Sequence, residues 1–135
     1  MRIAQVYRPG TMTCRPADTV ADAARRIAAA RIGALGICAG DRLVGIITEH
    51  DLVRALADGV DPHDVTVDAY ATWGAHTARL DERTSAVARR MRDLAVRRMP
   101  VIHRGQVVGM VAIQDLLAAD TDLLTGGNDE SDRHR

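Results

Sequence analysis

The sequence contains no lysine and no phenylalanine, and its aromatic residues are two tyrosines and one tryptophan. All 18 basic residues are arginines, so chemistry that requires a lysine, such as a Schiff base, is excluded. Single-stranded nucleic acid is held by bases stacked on aromatic rings, so the scarcity of rings disfavours that partner. The 18 acidic residues balance the arginines, and a net charge of zero gives no support to nucleic-acid binding of any kind.

No apolar run approaches the roughly 20 residues of a membrane-spanning helix, and the N-terminal segment lacks the apolar core of a signal peptide. We therefore expect a soluble, cytoplasmic protein with no membrane partner. Cysteine is also scarce, since Cys14 and Cys38 form no CxxC pair and the five histidines are scattered. No metal site is predicted from this spacing. Both cysteines fall on predicted strands, where buried reduced thiols are usual, with a disulfide between Cys14 and Cys38 as the alternative.

What the sequence does contain is one pattern written twice. A shift of 64 positions aligns the chain with itself without a gap, and apolar character is kept at many positions that are not identical. Chance would not preserve identity, apolar pattern and register together, so we infer an internal duplication. Identical pairs include Gly10/Gly74, Thr13/Thr77, Arg15/Arg79, Ala24/Ala88, Arg25/Arg89, Arg26/Arg90, Val44/Val108, Gly45/Gly109, Asp51/Asp115, Leu52/Leu116 and Ala55/Ala119.

Each copy predicts the order β-α-β-β-α. An extended segment (residues 11–15 and 75–79) precedes an amphipathic helix, which Thr19 and Asp22 are suited to cap in the first copy. Two strands around a tight turn follow, and a second helix starts near Asp51 or Asp115. We expect one domain over residues 1–60, a second over 61–121, and a disordered polar tail over 122–135.

This tandem unit, with Gly-x-x-Thr-x-x-Asp in the stretch GIITEHD, resembles the CBS domain, a family named after cystathionine β-synthase. RMPVI of the second copy matches the apolar-Pro-Val strand that is usual in that family. The resemblance covers about residues 2–120. The chain as a whole is similar to small bacterial stress-response proteins that consist of a CBS pair. It implies an α+β (mixed α/β) fold in which two units pack with pseudo-two-fold symmetry and leave two clefts between them.

The resemblance implies that an adenosine-containing ligand binds in such clefts: AMP, ADP, ATP or S-adenosylmethionine, none of them an obligatory cofactor. In the first cleft, here called cleft A, Asp51 would accept the ribose hydroxyls and Thr48 would hold ribose or phosphate. Arginine forks suit phosphate oxygens. The second copy would therefore add a strand against the base and two arginines for the phosphates: His76, Thr77, Ala78, Arg97 and Arg98.

The second cleft, cleft B, has lost most of these groups. Its hydroxyl position is Ala112, and Gly33 and Ala34 stand in place of the arginines, so Asp115 alone is retained. We expect cleft B to be empty or to hold an uncharged nucleoside weakly. Its remaining residues are those of the first strand: Met12, Thr13 and Cys14.

Simpler interpretations stay open for each residue. Thr48 and Asp51 fit the N-cap and the third position of a helix, although Ala112 indicates that the fold does not need the hydroxyl. Asp115 likewise favours a helix N-terminus. Arg97 and Arg98 also fit a solvated helix end, and His76 also fits an ordinary strand side chain.

The leading interpretation is a regulatory nucleotide sensor and not an enzyme, because no set of nucleophile, base and orienting group is visible. Its output would pass through a homodimer or an unknown effector protein. A ligand-free scaffold or oligomerisation module is the second interpretation. A small enzyme acting on nucleotides is the third.

Overall fold

The computed structural model describes the backbone of residues 1–126 and the side chains of residues 1–119. The chain forms two β-α-β-β-α units, which confirms the predicted α+β class. Short 3-10 turns, Ile3–Gln5 and Val67–Ala69, open the two copies. In chain order the elements are β1 Arg8–Pro9, β2 Thr13–Cys14, α1 Val20–Ala30, β3 Ala34–Ala39, β4 Arg42–Thr48, α2 Glu49–Ala57, β5 Thr72–Trp73, β6 Ala78–Arg79, α3 Thr84–Leu94, β7 Arg98–His103, β8 Gln106–Ala112 and α4 Ile113–Gly126.

The last helix is longer than the sequence indicated. α4 continues to Gly126, into the segment predicted as a tail. The remainder of that predicted tail, residues 127–135, lies outside the described residues. Within the described part, no helix is both long and apolar enough to cross a membrane.

The two copies exchange their opening strands. One sheet has the order β2-β3-β4-β5 and the other β1-β8-β7-β6. β1, from the start of the chain, pairs antiparallel with β8, and β5 pairs antiparallel with β4. Each copy therefore lends an edge strand to the sheet of the other copy, which the sequence pattern did not predict.

Two repeat-related glycines allow the exchanged strands to approach. A Cβ atom on Gly109 would lie 2.2 Å from the Arg8 carbonyl oxygen, and one on Gly45 would lie 2.6 Å from the Thr72 carbonyl oxygen. Real Cβ atoms do not come this close to backbone, so any larger residue at either position would displace the edge strand. The glycine of each Gly-x-x-Thr/Ala-x-x-Asp motif is thus explained by the fold.

The cores are exchanged in the same way. Ile3 is fully buried against the second copy, in a cluster with Met91, Val101 and Leu116. Val67, which is 64 residues later, is fully buried in the first copy, in a cluster with Ile37 and others. A third cluster joins the two sheets through Ile32, Ala34, Ile46 and Met110.

Helix ends follow from local chemistry. Thr19 and Asp22 form the predicted capping box at the start of α1, while Arg83 at the start of α3 makes no side-chain cap. Both helices end on a residue in the left-handed conformation, Arg31 after α1 and Ala95 after α3. The turn that follows α1 brings residues 31–33 to the junction between the two copies.

Arg90 closes the loop between β6 and α3. Its guanidinium donates to the Thr77 carbonyl oxygen at 2.8 Å and to the Glu82 carboxylate at 2.8 Å. The hydrogen bond from Arg90 to Glu82, helped by one from the backbone N–H of Arg79, lowers the pKa of Glu82. Arg26 makes the equivalent pair of contacts in the first copy. The repeated arginine therefore has a structural role in both copies.

Candidate functional site

Thr48 and Asp51 form a capping box where β4 ends and α2 begins. The backbone N–H of Thr48 donates to Asp51 Oδ2 at 2.8 Å, and the Thr48 hydroxyl donates to the same oxygen at 3.0 Å. In return, the backbone N–H of Asp51 donates to Thr48 Oγ1 at 3.3 Å. Asp51 is only 6% exposed. The capping interpretation is therefore realised, and it fixes the orientation of a buried carboxylate.

The other oxygen of Asp51 contacts an arginine of the same helix. Arg54 Nη2 donates to Asp51 Oδ1 at 3.1 Å and to the Tyr70 carbonyl oxygen at 3.0 Å. The guanidinium also lies over the Tyr70 ring, 5.6 Å from its centroid. Tyr70 is held in turn by a hydrogen bond from its hydroxyl to Asp58 at 2.7 Å, and this bond raises the pKa of Tyr70. A four-residue network thus connects Asp51 to the opening segment of the second copy.

Arg98 crosses from the second copy to the first. Its Nε donates to the Ile32 carbonyl oxygen at 3.0 Å, and its Nη2 lies 4.0 Å from Glu49 Oε1, one residue after Thr48. Its side chain is 18% exposed. The guanidinium lies directly over Gly33, where a Cβ would come within 2.6 Å of it. The structure thus places one of the two predicted phosphate-binding arginines next to the start of α2.

Asp115 of the second copy has different surroundings. Arg8 Nε lies 3.6 Å from Asp115 Oδ2, and Arg8 Nη1 donates to the Arg31 carbonyl oxygen at 3.0 Å. Asp115 Oδ2 is buried and makes no hydrogen bond with the described residues. A positive charge therefore lies beside the carboxylate of cleft B, although the sequence indicated none there. It comes from the exchanged strand β1.

The other predicted residues of cleft A have varied environments. His76 and Arg97 are exposed, and the Arg97 carbonyl oxygen accepts from the Ile113 N–H at 2.9 Å. Thr77 is half-buried, and its carbonyl oxygen accepts a hydrogen bond from Arg90. Ala78 is fully buried in the core of the second copy, so its side chain is a packing group. Ligand contacts of these residues stay predictions.

In cleft B, Met12 packs on two of the hydrophobic clusters, and Ala112 is buried. The Thr13 carbonyl oxygen accepts a hydrogen bond from Arg26. Cys14 and Cys38 are free thiols that line one cavity of about 820 Å³ together with Asp18 and Arg26. Burial, reinforced by Asp18, raises the pKa of Cys14 to about 12. The disulfide between them stays a prediction.

No group of three or more histidine, cysteine, aspartate or glutamate side chains that could hold a metal ion occurs in the described part of the chain.

Three nearby residues were missed by sequence reasoning. Arg54 could have been found, because it lies three residues after Asp51 on the same helix. Glu49 could also have been noticed beside Thr48. Arg8 carried no readable signal, because its position depends on the exchange of β1.

Similar proteins agree with this architecture. The model of the CBS domain family matches residues 3–58 and 66–122. Hypoxic response protein 1 of Mycobacterium tuberculosis (strain H37Rv) is 34% identical over 101 residues, which span 73% of this chain and 71% of that protein. The uncharacterized protein MJ1225 of Methanocaldococcus jannaschii is 38% identical over 77 residues, which span 57% of this chain and only 27% of that protein.

Among solved structures, the CBS domain pair of protein MJ0100, in complex with 5′-methylthioadenosine and S-adenosyl-L-methionine, superposes with a TM-score of 0.80 at 26% identity. The superposition covers 90% of this chain and 96% of that one. The duplicated β-α-β-β-α order and the match of both copies to one family model lead to a single conclusion. The chain belongs to the CBS domain family and is a tandem CBS pair.

Proposed function

We propose that the protein is a regulatory module, not an enzyme, that senses an adenosine nucleotide in cleft A. The observation that carries the proposal is the buried Asp51 carboxylate, held by Thr48 at the start of α2, with Arg98 of the other copy close by. The complex of the MJ0100 pair with 5′-methylthioadenosine and S-adenosyl-L-methionine supports an adenosine-containing ligand.

The hydrogen bonds favour particular roles for the two capping residues. The single hydrogen of the Thr48 hydroxyl is donated to Asp51, so toward a ligand Thr48 offers only an acceptor. A ribose hydroxyl can donate to it, whereas a phosphate oxygen cannot. Thr48 and Asp51 would thus hold the ribose. Arg97 and Arg98 would receive the phosphate, and His76, Thr77 and Ala78 would lie along the base.

Calorimetric titration with AMP and ATP tests the proposal. We expect one strong site per chain, and we expect Asp51→Ala to weaken AMP binding about tenfold or more, because hydrogen bonds to a charged group contribute about 1.5–3 kcal/mol. Asp22→Ala is a matched control, since Asp22 caps α1 through the same box with Thr19. Equal affinity of wild type and Asp51→Ala for AMP would overturn the assignment to cleft A.

The output would pass through a homodimer or an effector protein. Three exposed apolar side chains on α2 and α4 support a protein partner. They are Val53, Leu56 and Leu117, which are 60%, 65% and 54% exposed. Val53 and Leu117 are related by the repeat. We expect a dimer in sedimentation velocity and a monomer for Val53→Glu combined with Leu117→Glu. A wild-type monomer would leave an effector protein as the partner.

A ligand-free scaffold is the second candidate, because Thr48 and Arg54 already occupy much of the Asp51 carboxylate. Thermal unfolding separates the two functions. AMP at about 100 times its dissociation constant should stabilise a binding protein by about 2.7 kcal/mol. An unfolding temperature that does not change with any adenosine nucleotide would favour the scaffold.

A further inference from the structure

Arg98 is held by one side of its guanidinium, and the other side stays available. Nε donates to the Ile32 carbonyl oxygen at 3.0 Å. Within the described part of the chain, the hydrogens on Nη1 and Nη2 meet no hydrogen-bond acceptor, because Glu49 Oε1 is 4.0 Å from Nη2. The Glu49 side chain is 65% exposed, so this ion pair is weak. A phosphate could therefore bind the Nη1 and Nη2 side while the Nε contact is kept.

The position of the guanidinium depends on the absence of a side chain at residue 33. A Cβ atom on Gly33 would lie 2.6 Å from Nη2, 2.7 Å from Nε and 2.9 Å from Cζ of Arg98. Real Cβ atoms do not come this close to other atoms, so a larger residue and the guanidinium could not both keep their places. Gly33 directly follows Ile32, so one turn supplies both the acceptor for Nε and the space for the guanidinium.

A side chain at residue 33 would displace Arg98 and leave the fold in place. The atoms that it would overlap are at the end of a long side chain, which can adopt another rotamer. At Gly45 and Gly109, by contrast, the overlapped atoms are backbone carbonyl oxygens of a paired strand. The effect of a larger residue at position 33 is therefore expected mainly on the site that Arg98 serves.

The repeat contains this combination of glycine and arginine once. The residue related to Gly33 is Arg97, and the residue related to Arg98 is Ala34. Gly33 has a φ of 84°, whereas Arg97 is not among the residues with a positive φ. The turn after α3 thus reaches the same place in the fold without a glycine, so the duplicated fold does not by itself require Gly33.

We propose that Gly33 of the first copy positions Arg98 of the second copy for the phosphate of the nucleotide in cleft A. The inference rests on the proposed binding of an adenosine nucleotide in cleft A and on the role of Arg98 there. Gly33 is a positioning residue, since it acts on the ligand in cleft A through the guanidinium. A guanidinium that is already held in place loses less conformational freedom when the phosphate binds, and this raises the affinity.

Calorimetric titration of Gly33→Ala with AMP and with adenosine tests the inference. We expect AMP to bind about tenfold more weakly than to wild type and adenosine to bind within about twofold, because only the phosphate needs the guanidinium. Adding Arg98→Met to Gly33→Ala should weaken AMP binding no further than Arg98→Met does alone, because both changes remove the same contact.

Gly59→Ala is the matched control. Gly59 also has a positive φ, 76°, but a Cβ atom there would meet nothing within 4 Å. It should lower the unfolding temperature through the same kind of backbone strain and bind AMP as wild type does. Gly33→Asn is a second variant, since Asn adopts a positive φ more readily than Ala and still places a Cβ under the guanidinium. It should show the same selective loss of AMP binding.

The inference is overturned if the Gly33 variants bind AMP as wild type does, if they lose AMP and adenosine equally, or if neither of them folds. It is also overturned if the double variant loses the product of the two single losses, or if Gly59→Ala weakens AMP binding as much as Gly33→Ala. Failure of wild type to bind AMP would instead overturn the proposed function, and unchanged AMP binding by Arg98→Met would overturn the role of Arg98. In either case this inference fails with it.

Discussion

At the residue scale, helix capping and ligand binding do not exclude one another. Thr19 with Asp22 and Thr48 with Asp51 form the same capping box on two helices of one chain. The boxes differ in their surroundings: the side chain of Asp22 is 36% exposed, whereas Asp51 is buried, and Glu49 on the same turn lies 4.0 Å from Arg98 of the other copy. The same local chemistry therefore serves stability in one place and is available for recognition in the other.

Replacement of the two threonines should separate these roles. Thr19→Ala and Thr48→Ala should each lower the free energy of unfolding by about 0.5–2 kcal/mol, because each removes an N-cap. Only Thr48→Ala should weaken AMP binding. Urea unfolding and calorimetry measure the two effects. If both variants bind AMP as wild type does, Thr48 is a cap alone.

The ion pair between Glu82 and Arg90 predicts a dependence of stability on pH. The hydrogen bond from Arg90 lowers the pKa of Glu82 in the folded protein. A lowered folded-state pKa contributes stability above the unfolded-state pKa, and this contribution is lost as the pH falls through the folded-state value. Between about pH 6 and about pH 3, wild type should thus lose more free energy of unfolding than Glu82→Gln, as measured by denaturant titration at each pH. Equal losses would contradict the prediction.

At the element scale, the exchange of β1 and β5 dictates the glycines of the motif. Gly45 and Gly109 have ordinary backbone angles, so their role is steric: each faces a backbone carbonyl of the strand that the other copy contributes. The glycine that opens the Gly-x-x-Thr/Ala-x-x-Asp motif is therefore required by strand pairing.

Substitution of these glycines should destabilise the protein. Gly109→Ala and Gly45→Ala should each cost about 1–3 kcal/mol, because the new methyl group overlaps backbone that cannot move without breaking the β-ladder. Gly36→Ala is the control, since its Cβ would contact chiefly the mobile end of Leu43, at 3.0 Å. Thermal unfolding of the three variants measures the difference. An equal effect for Gly36→Ala would show that the close approach is relieved by adjustment.

The elements that repeat were predictable, and the exchange was not. Alternating and helical apolar patterns such as those around Ile37 and Met91 are local, so the helices and the long strands could be read from the sequence. β1 and β5 contain two residues each, which is too short for an apolar pattern that would predict the strand with which each pairs. Thr48 and Asp51 could be identified by motif, whereas the proximity of Arg8 to Asp115 depends on tertiary pairing.

At the scale of the whole molecule, the contact between the copies is asymmetric. Arg8 and Arg98 donate to successive carbonyl oxygens of the turn after α1, those of Arg31 and Ile32. The residues related to them by the repeat are Thr72 and Ala34, which have no guanidinium. Hydrogen bonds from arginines therefore join the two copies on one side of the pseudo-symmetry axis. Each of these arginines also lies near an acidic residue at the start of α2 or α4.

Arg98 should distinguish charged from uncharged ligands. We expect Arg98→Met to weaken AMP binding about tenfold while adenosine binding stays within about twofold, because only the phosphate needs the guanidinium. Arg8→Met is the comparison, since Arg8 makes an analogous contact with the same turn but lies beside Asp115. Calorimetry with both ligands measures the effects. Equal losses for AMP and adenosine would indicate that Arg98 only joins the copies.

The interleaved cores bear on how such a chain could have arisen. Ile3 completes the core of the second copy and Val67 that of the first, so neither half contains all of its own interior. A chain with a single copy could bury its opening segment only against a second molecule of the same kind. Joining two such molecules end to end would preserve every one of those contacts. The tandem pair thus has the construction of an intertwined homodimer whose two subunits have become one polypeptide.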